Sequence, residues 1–181
     1  EIVGLLNISG GNAVGISGKD AHLLHARRLK AEDGGDLGFV GEVTNVHYHL
    51  LNVLCQAGMI PVVAPLATDP EGNTWNVNAD TAAGDIAAAL QAEKLVFLTD
   101  TPGVLREKDR PETLIPHLTY REVVELTKEG VISGGMIPKI EACVRALDMG
   151  VRKAHIVDGR VPHALLLEIF TDTGMGTLVT H

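Results

Sequence analysis

Aromatic side chains supply only 3% of the 181 residues, so Ala, Val, Leu and Ile must fill whatever core forms. Filling of that kind suits layers of helices on a sheet. Cysteine is almost as scarce. Cys55 and Cys143 are the two in the chain, far apart and each within an apolar helical pattern. They read as small core hydrophobes in a reducing compartment, not as a disulfide or a metal pair. Basic residues are outnumbered, 15 Lys and Arg against 23 Asp and Glu, for a formal charge of −8. With no basic cluster, nucleic acid is disfavoured as a main partner. No apolar run approaches the length of a bilayer span, and no charged-then-apolar leader opens the chain, which argues against a membrane. The P-loop and GxGxxG fingerprints are missing too. So is GxSxG, since VGISGKD (14–20) is a hairpin turn with the wrong spacing.

What is present is alternation, in a chain long enough for one ordinary domain or two small lobes. Residues 1–6 finish a helix, and Gly10 and Gly11 turn into a short buried strand, AVGIS (13–17). A second strand, HLLHA (22–26), and a polar loop, KAEDGGDLG (30–38), lead into FVGEVTNV (39–46). Residues 46–57 have helical spacing, with Leu50, Leu51, Leu54 and Ala57 on one face and Gly58 as the stop. MIPVVAPL (59–66) reads as one buried strand, TDPEGNTWN (68–76) as a turn or hairpin loop, and a helix starts near Asp80. KLVFLTD (94–100) is a continuous apolar strand ending in a polar switch. TYREVVELTKEG (119–130) and IPKIEACVRALDMG (137–150) are helices closed by Gly130 and Gly150. RKAHIVDG (152–159) is a strand, VPHALLLEIF (161–170) a helix and GTLVTH (176–181) a last strand. This pattern predicts an α/β fold with an open, mostly parallel sheet sandwiched between helices, in three layers.

In open α/β sheets ligands gather at the carboxyl ends of strands. Asp100 to Leu105 lies at such an end, where Gly103 would let the backbone approach a ligand; a plain turn is the alternative. Ser133, Gly134, Gly135 and Met136 open the helix that carries Lys139. Free N–H groups and the helix dipole make such a start a natural phosphate cradle. A cation this near a helix N-terminus costs about 0.3–1 kcal/mol, which a bound polyphosphate would offset. A solvated surface lysine is the other reading. NVNADTAAGDIAAAL (76–90) places Asn76, Asn78 and Asp80 before an alanine-rich helix. One cap needs one such residue. The surplus amides could bind a small acid without adding negative charge, and Asp80 could hold lysines in place; cap plus loop remains the rival. Among the eight histidines, neither His22 and His25 nor His47 and His49 have the spacing of a zinc site, so no metal is expected.

The strings NVNADTAAGDIAAAL, LTDTPGVL, GVISGGMIPKIEAC and HIVDGRVPHALLLEIFTDTGMGT, in this order, cover nearly the whole chain and resemble the N-acetylglutamate kinases of the amino acid kinase family. The resemblance implies transfer of a phosphoryl group from ATP with Mg²⁺ to the side-chain carboxylate of N-acetyl-L-glutamate, in arginine biosynthesis. It implies that Asn76 contacts the acid with Asn78 close by, that Asp80 orients the catalytic lysines and that Lys139 stabilises the moving phosphoryl group. Asp100, Thr101, Gly103, Val104 and Leu105, with Ser133, Gly134, Gly135 and Met136, would line the nucleotide. His163, Glu168 and Gly174 fall where the family's arginine site lies, and SGKD and GFVGEV are most similar to the arginine-inhibitable branch. The family also implies a dimer or hexamer, a PII signalling protein as partner, and a cytoplasmic or plastid location. Residues 1–90 would then be the remainder of an acid-substrate lobe and 91–181 a nucleotide-binding lobe, with the 76–80 segment at their seam. The family's N-terminal third, with its strand lysine, paired glycines and substrate-gripping arginine, has no counterpart here, so this chain resembles the C-terminal two-thirds and its activity alone stays open. A kinase of another acid, such as a carrier-bound aminoadipate, and a non-catalytic nucleotide-binding or regulatory remnant are the rival readings.

Overall fold

A computed structural model describes residues 1–31, 33–171 and 174–181. The backbone divides into two compact units, Glu1–Leu90 and Gln91–His181.

In the first unit, helix α1 (Ile2–Ile8) turns into strand β1 (Ala13–Ser17). The Asn7 side chain braces that turn, accepting from Ala13 N at 2.6 Å and donating to Ala13 O at 3.1 Å. Four further strands, β2 (Leu24–Lys30), β3 (Asp36–Val46), β5 (Leu66–Thr68) and β6 (Thr74–Val77), close into a ring in the order β2–β3–β6–β5. Two antiparallel hairpins build it, β2 on β3 and β5 on β6. The remaining strand, β4 (Ile60–Ala64), follows helix α2 (His49–Gln56) and pairs in parallel with β1.

Three expectations shift here. The strand placed at 22–26 begins at Leu24, because Asp20–His22 form a turn of 3₁₀ helix anchored by the Asp20 carboxylate on Ser17 N at 2.6 Å. The single strand placed at 59–66 is two strands in different sheets. Pro65 between them has no N–H with which to continue a ladder. The 68–76 turn does form a hairpin, but its second arm starts at Thr74. The unit's core is aliphatic around one ring, with Leu23, Leu24, Leu51, Ala67, Val77 and Ala82 packed about Trp75. Asp69 accepts a hydrogen bond from the Trp75 indole N–H at 2.9 Å, satisfying its one polar atom.

In the second unit, strands β7 (Lys94–Thr99), β8 (His117–Thr119), β9 (Lys153–Asp158) and β10 (Thr177–Thr180) form a sheet in the order β7–β9–β10–β8. β7 runs parallel to β9 and β8 to β10, while β9 and β10 are antiparallel. Helices α4 (Tyr120–Lys128), α5 (Met136–Asp148) and α6 (Ala164–Phe170) cover it. Ala154 to Val157 are all buried, as an apolar strand covered on both faces must be. Strand β8 was not expected; three residues are too short to show a period. Thr119 and Glu122 form a capping box that starts α4. The cysteines part company. Cys143 is fully buried in α5, but Cys55 is exposed on α2 and is not the core residue its apolar neighbours suggested.

Candidate functional site

Strands β7 and β9 lie in register, Thr99 beside Asp158, so the loops that leave them emerge side by side. Gly159 N donates to Thr99 O at 2.8 Å and ties the two loops together. In the first loop Asp100 is exposed and accepts from Thr99 Oγ1 at 3.2 Å. The next turn is bolted down from far along the chain. Thr177, fully buried on β10, accepts from Val104 N at 2.9 Å and donates to Ile115 O at 2.8 Å.

That bolt explains Gly103 differently from the expectation. Its φ is +141°, and a Cβ there would stand 2.6 Å from Thr177 Oγ1 and 2.9 Å from Leu114 Cδ1. The chain's own packing already requires glycine here. Gly103→Ala should therefore cost about 2–4 kcal/mol, from a disallowed backbone plus overpacking. A urea unfolding midpoint within error of wild type would contradict this.

The expected stretches then converge. Asp100 to Leu105, Val131, Ser133 to Met136 and Lys139 all line one open cleft of about 770 Å³. Gly135 is the N-cap of α5 in ordinary helical backbone, and Lys139 lies in the helix's second turn, half-buried. A Cβ on Gly134 or Gly135 would meet nothing within 4 Å. The fold does not demand a small residue at Gly135, where the backbone is helical and the space beside it is open. Sequence reasoning missed Thr99, Lys108, Asp109, Pro111 and Arg160, which also line the cleft. The rule that ligands sit at strand ends, applied to β9 as it was to β7, would have found Arg160. The Arg160 guanidinium and its amide N–H pull the Asp158 carboxyl down to about 2.

The 76–80 stretch lies in the first unit. Asn76 is exposed on β6, alternating with buried Trp75 and Val77. Asn78 is the N-cap of α3 (Ala79–Ala89), its Oδ1 accepting from Thr81 N at 3.0 Å. One of the two amides is thus a cap after all, and Asn76 is the one left facing solvent. Asp80 stands half-buried in the first turn, where a negative charge suits the dipole.

The three residues expected around arginine fare unequally. His163 is exposed, in left-handed backbone just before α6. Glu168 is buried, with Oε1 on His155 Nδ1 at 2.7 Å and Oε2 accepting from Met175 N at 2.6 Å and Gly176 N at 2.9 Å. Gly174 is where a Cβ would come within 2.8 Å of Glu168 Oε2. Glu168 organises the turn that includes Gly174. Burial pushes its carboxyl up, but the Met175 amide, His155 and the Gly176 amide outweigh that and hold it below the usual range. In the first unit the rings of His22, His25 and His47 gather, with centroids 5.7 and 4.7 Å apart in turn. Among the described residues no group of His, Cys, Asp and Glu is arranged to hold a metal ion, and no helix is long and apolar enough to cross a membrane.

Residues 1–158 match the model of the amino acid kinase family. The acetylglutamate kinase of Nostoc sp. (strain PCC 7120) is 57% identical across 99% of this chain, and that of Moorella thermoacetica 51% identical across 99%. The chain spans 59% of the first of these relatives and 63% of the second. Among solved structures, N-acetylglutamate synthase from Neisseria gonorrhoeae complexed with coenzyme A and N-acetyl-glutamate superposes with a TM-score of 0.86 at 31% identity, over 98% of this chain and 40% of that one. Isopentenyl phosphate kinase, at 18% identity and a TM-score of 0.68 over 97% of this chain and 62% of that one, shares the fold.

Proposed function

The chain belongs to the amino acid kinase family, and on that premise we propose that it forms the larger part of an N-acetylglutamate kinase, with ATP as phosphoryl donor in a step of arginine biosynthesis. In this reading Gln91–His181 is the nucleotide-binding unit and Glu1–Leu90 belongs to the acid side. The observation that carries it is the cleft, where the 100–105 loop, the glycine-opened start of α5 and Lys139 surround about 770 Å³, ample for a nucleotide.

The chemistry asks for little else. An attacking carboxylate has no proton to lose, so no general base is needed, and positioned charge does most of the work. Lys139 meets the transferring phosphoryl group, the α5 N–H groups receive the phosphates, Asn76 offers its amide to the acid, and Asp80 takes the positioning role that the family kinship implies. With no resident cation cage among the described residues, the fit is to Mg²⁺ arriving on the phosphates with one or two carboxylates, for which Asp100 and Asp109 line the cleft. When bound it would neutralise charge on the bridging phosphates. Arginine as inhibitor, a homo-oligomer, a PII signalling partner and a cytoplasmic or plastid location follow from the same kinship. For arginine to reach Glu168, the 174–176 turn would have to give up two hydrogen bonds.

Acetylglutamate-dependent ADP release by the intact gene product tests the activity; release driven only by another acid would point to a sister kinase, and none at all to a non-catalytic binder. The nucleotide half is testable on this chain alone. ATP with Mg²⁺ at about 100 times its dissociation constant should stabilise it by about 2.7 kcal/mol, raising Tm. Gly135→Val should leave the ligand-free Tm little changed and abolish most of that shift, because its side chain would occupy the space beside α5. An unaltered shift in the variant would remove Gly135 from the site.

A further inference from the structure

Arg160 sits in the loop after β9 and reaches the cleft on a base that the fold has built for it. Its Nε and Nη2 donate to Asp158 Oδ1 and Oδ2 at 2.9 and 2.8 Å, and its own backbone N–H adds a bond to Oδ1 at 2.9 Å. The carboxylate lies underneath, 13% exposed, while the guanidinium is 64% exposed and lines the cleft. Such a pair contributes little to stability. What it does is remove rotamer freedom, since a fork held on one edge by a carboxylate presents its other N–H groups in a fixed plane. Arg160 lines the same cleft as Lys139, Lys108 and the start of α5. A triphosphate carries more charge than one lysine can match, and planar guanidinium donors pair with phosphate oxygens two at a time.

We propose that Arg160 is a nucleotide-binding residue whose guanidinium grips the phosphate tail, and that Asp158 is the positioning residue that presents it. The proposal rests on reading the cleft as the nucleotide site, and it adds a contact which that reading does not require. Asp158 stays ionised well below neutrality, so the pair persists across the working range of pH.

The test compares ATP and adenosine binding to this chain, by calorimetry for the first and ligand-observed NMR for the second, in wild type, Arg160→Ala and Arg160→Lys. Arg160→Ala should weaken ATP by about 10- to 100-fold, the usual worth of charge-assisted hydrogen bonds. Adenosine affinity and the ligand-free Tm should not move. Arg160→Lys should recover only part of the loss, because one ammonium cannot hold Asp158 and the phosphates together in fork geometry. Equal ATP affinity in wild type and Arg160→Ala would overturn the assignment. A parallel loss for adenosine would move the guanidinium to the base or ribose and overturn the phosphate contact. Full recovery in Arg160→Lys would overturn the role of Asp158. A wild type that binds no ATP would instead overturn the reading of the cleft, and this inference with it.

Discussion

Lys139→Ala in the intact gene product should, on the proposed function, lower kcat by about 10²–10³, equivalent to roughly 3–4 kcal/mol of transition-state stabilisation. Lys139 is half-buried on α5, within reach of the cleft that the helix start and the 100–105 loop define. A charge that matters most as negative charge spreads over the moving phosphoryl group is felt in kcat and kcat/KM alike, with KM for ATP nearly constant. The wild-type lysine also sits near the positive end of the α5 dipole, so removing it relieves a small repulsion. Stability should consequently hold. Steady-state kinetics beside a melting curve separate the two effects. An unchanged kcat would remove Lys139 from the chemistry, and a collapsed Tm would show that the loss was one of folding.

The largest stability effect is expected at Glu168. Glu168→Leu keeps the site filled but leaves the buried His155 Nδ1, the buried Gly176 N–H and the half-buried Met175 N–H without their acceptor. Breaking a buried network by removing one partner costs about 3–5 kcal/mol. Trp75, the only tryptophan, belongs to the other unit, so far-UV circular dichroism is the probe to follow. A cost below about 1 kcal/mol would mean that the turn holds without the carboxylate. The pH dependence carries a sign. Because the folded carboxyl is held low, the unfolded chain binds a proton more readily. The stabilisation is complete above the unfolded value of about 4.3 and is lost as pH falls through the folded one. Asp158, down at about 2, adds a contribution of the same sign. In Glu168→Gln the acid slope should flatten while the Asp158 part survives. An identical slope in wild type and variant would assign acid sensitivity elsewhere.

Much of the candidate site was legible because its signals are local. An apolar strand that ends at Asp100, and glycines that open a helix carrying Lys139, are patterns within a dozen residues. Their convergence on one cleft followed the general rule for strand ends. Asn78 was legible only by halves, since a cap and a ligand contact ask for the same residue type. The β2–β3–β6–β5 ring was hidden for another reason. Two of its strands, β5 and β6, carry too few residues to show a period, and Pro65 splits what reads as one apolar run.

The sequence by itself determined the alternation of elements, the aliphatic core and the placing of glycine, cation and carboxylate beside the ends of strands, because each follows from neighbours along the chain. Only the tertiary structure decided what those residues touch. Gly103 is a glycine on account of Thr177, whose hydroxyl meets the next amide across 73 positions. Glu168, which resembled part of a ligand site, is buried on His155 from another element and on the amides of Met175 and Gly176. Arg160 reaches the cleft because Asp158 holds it there and β9 lies beside β7. Whether a polar residue serves a ligand or its own fold depends on partners brought near by packing, and periodicity along the chain carries no record of them.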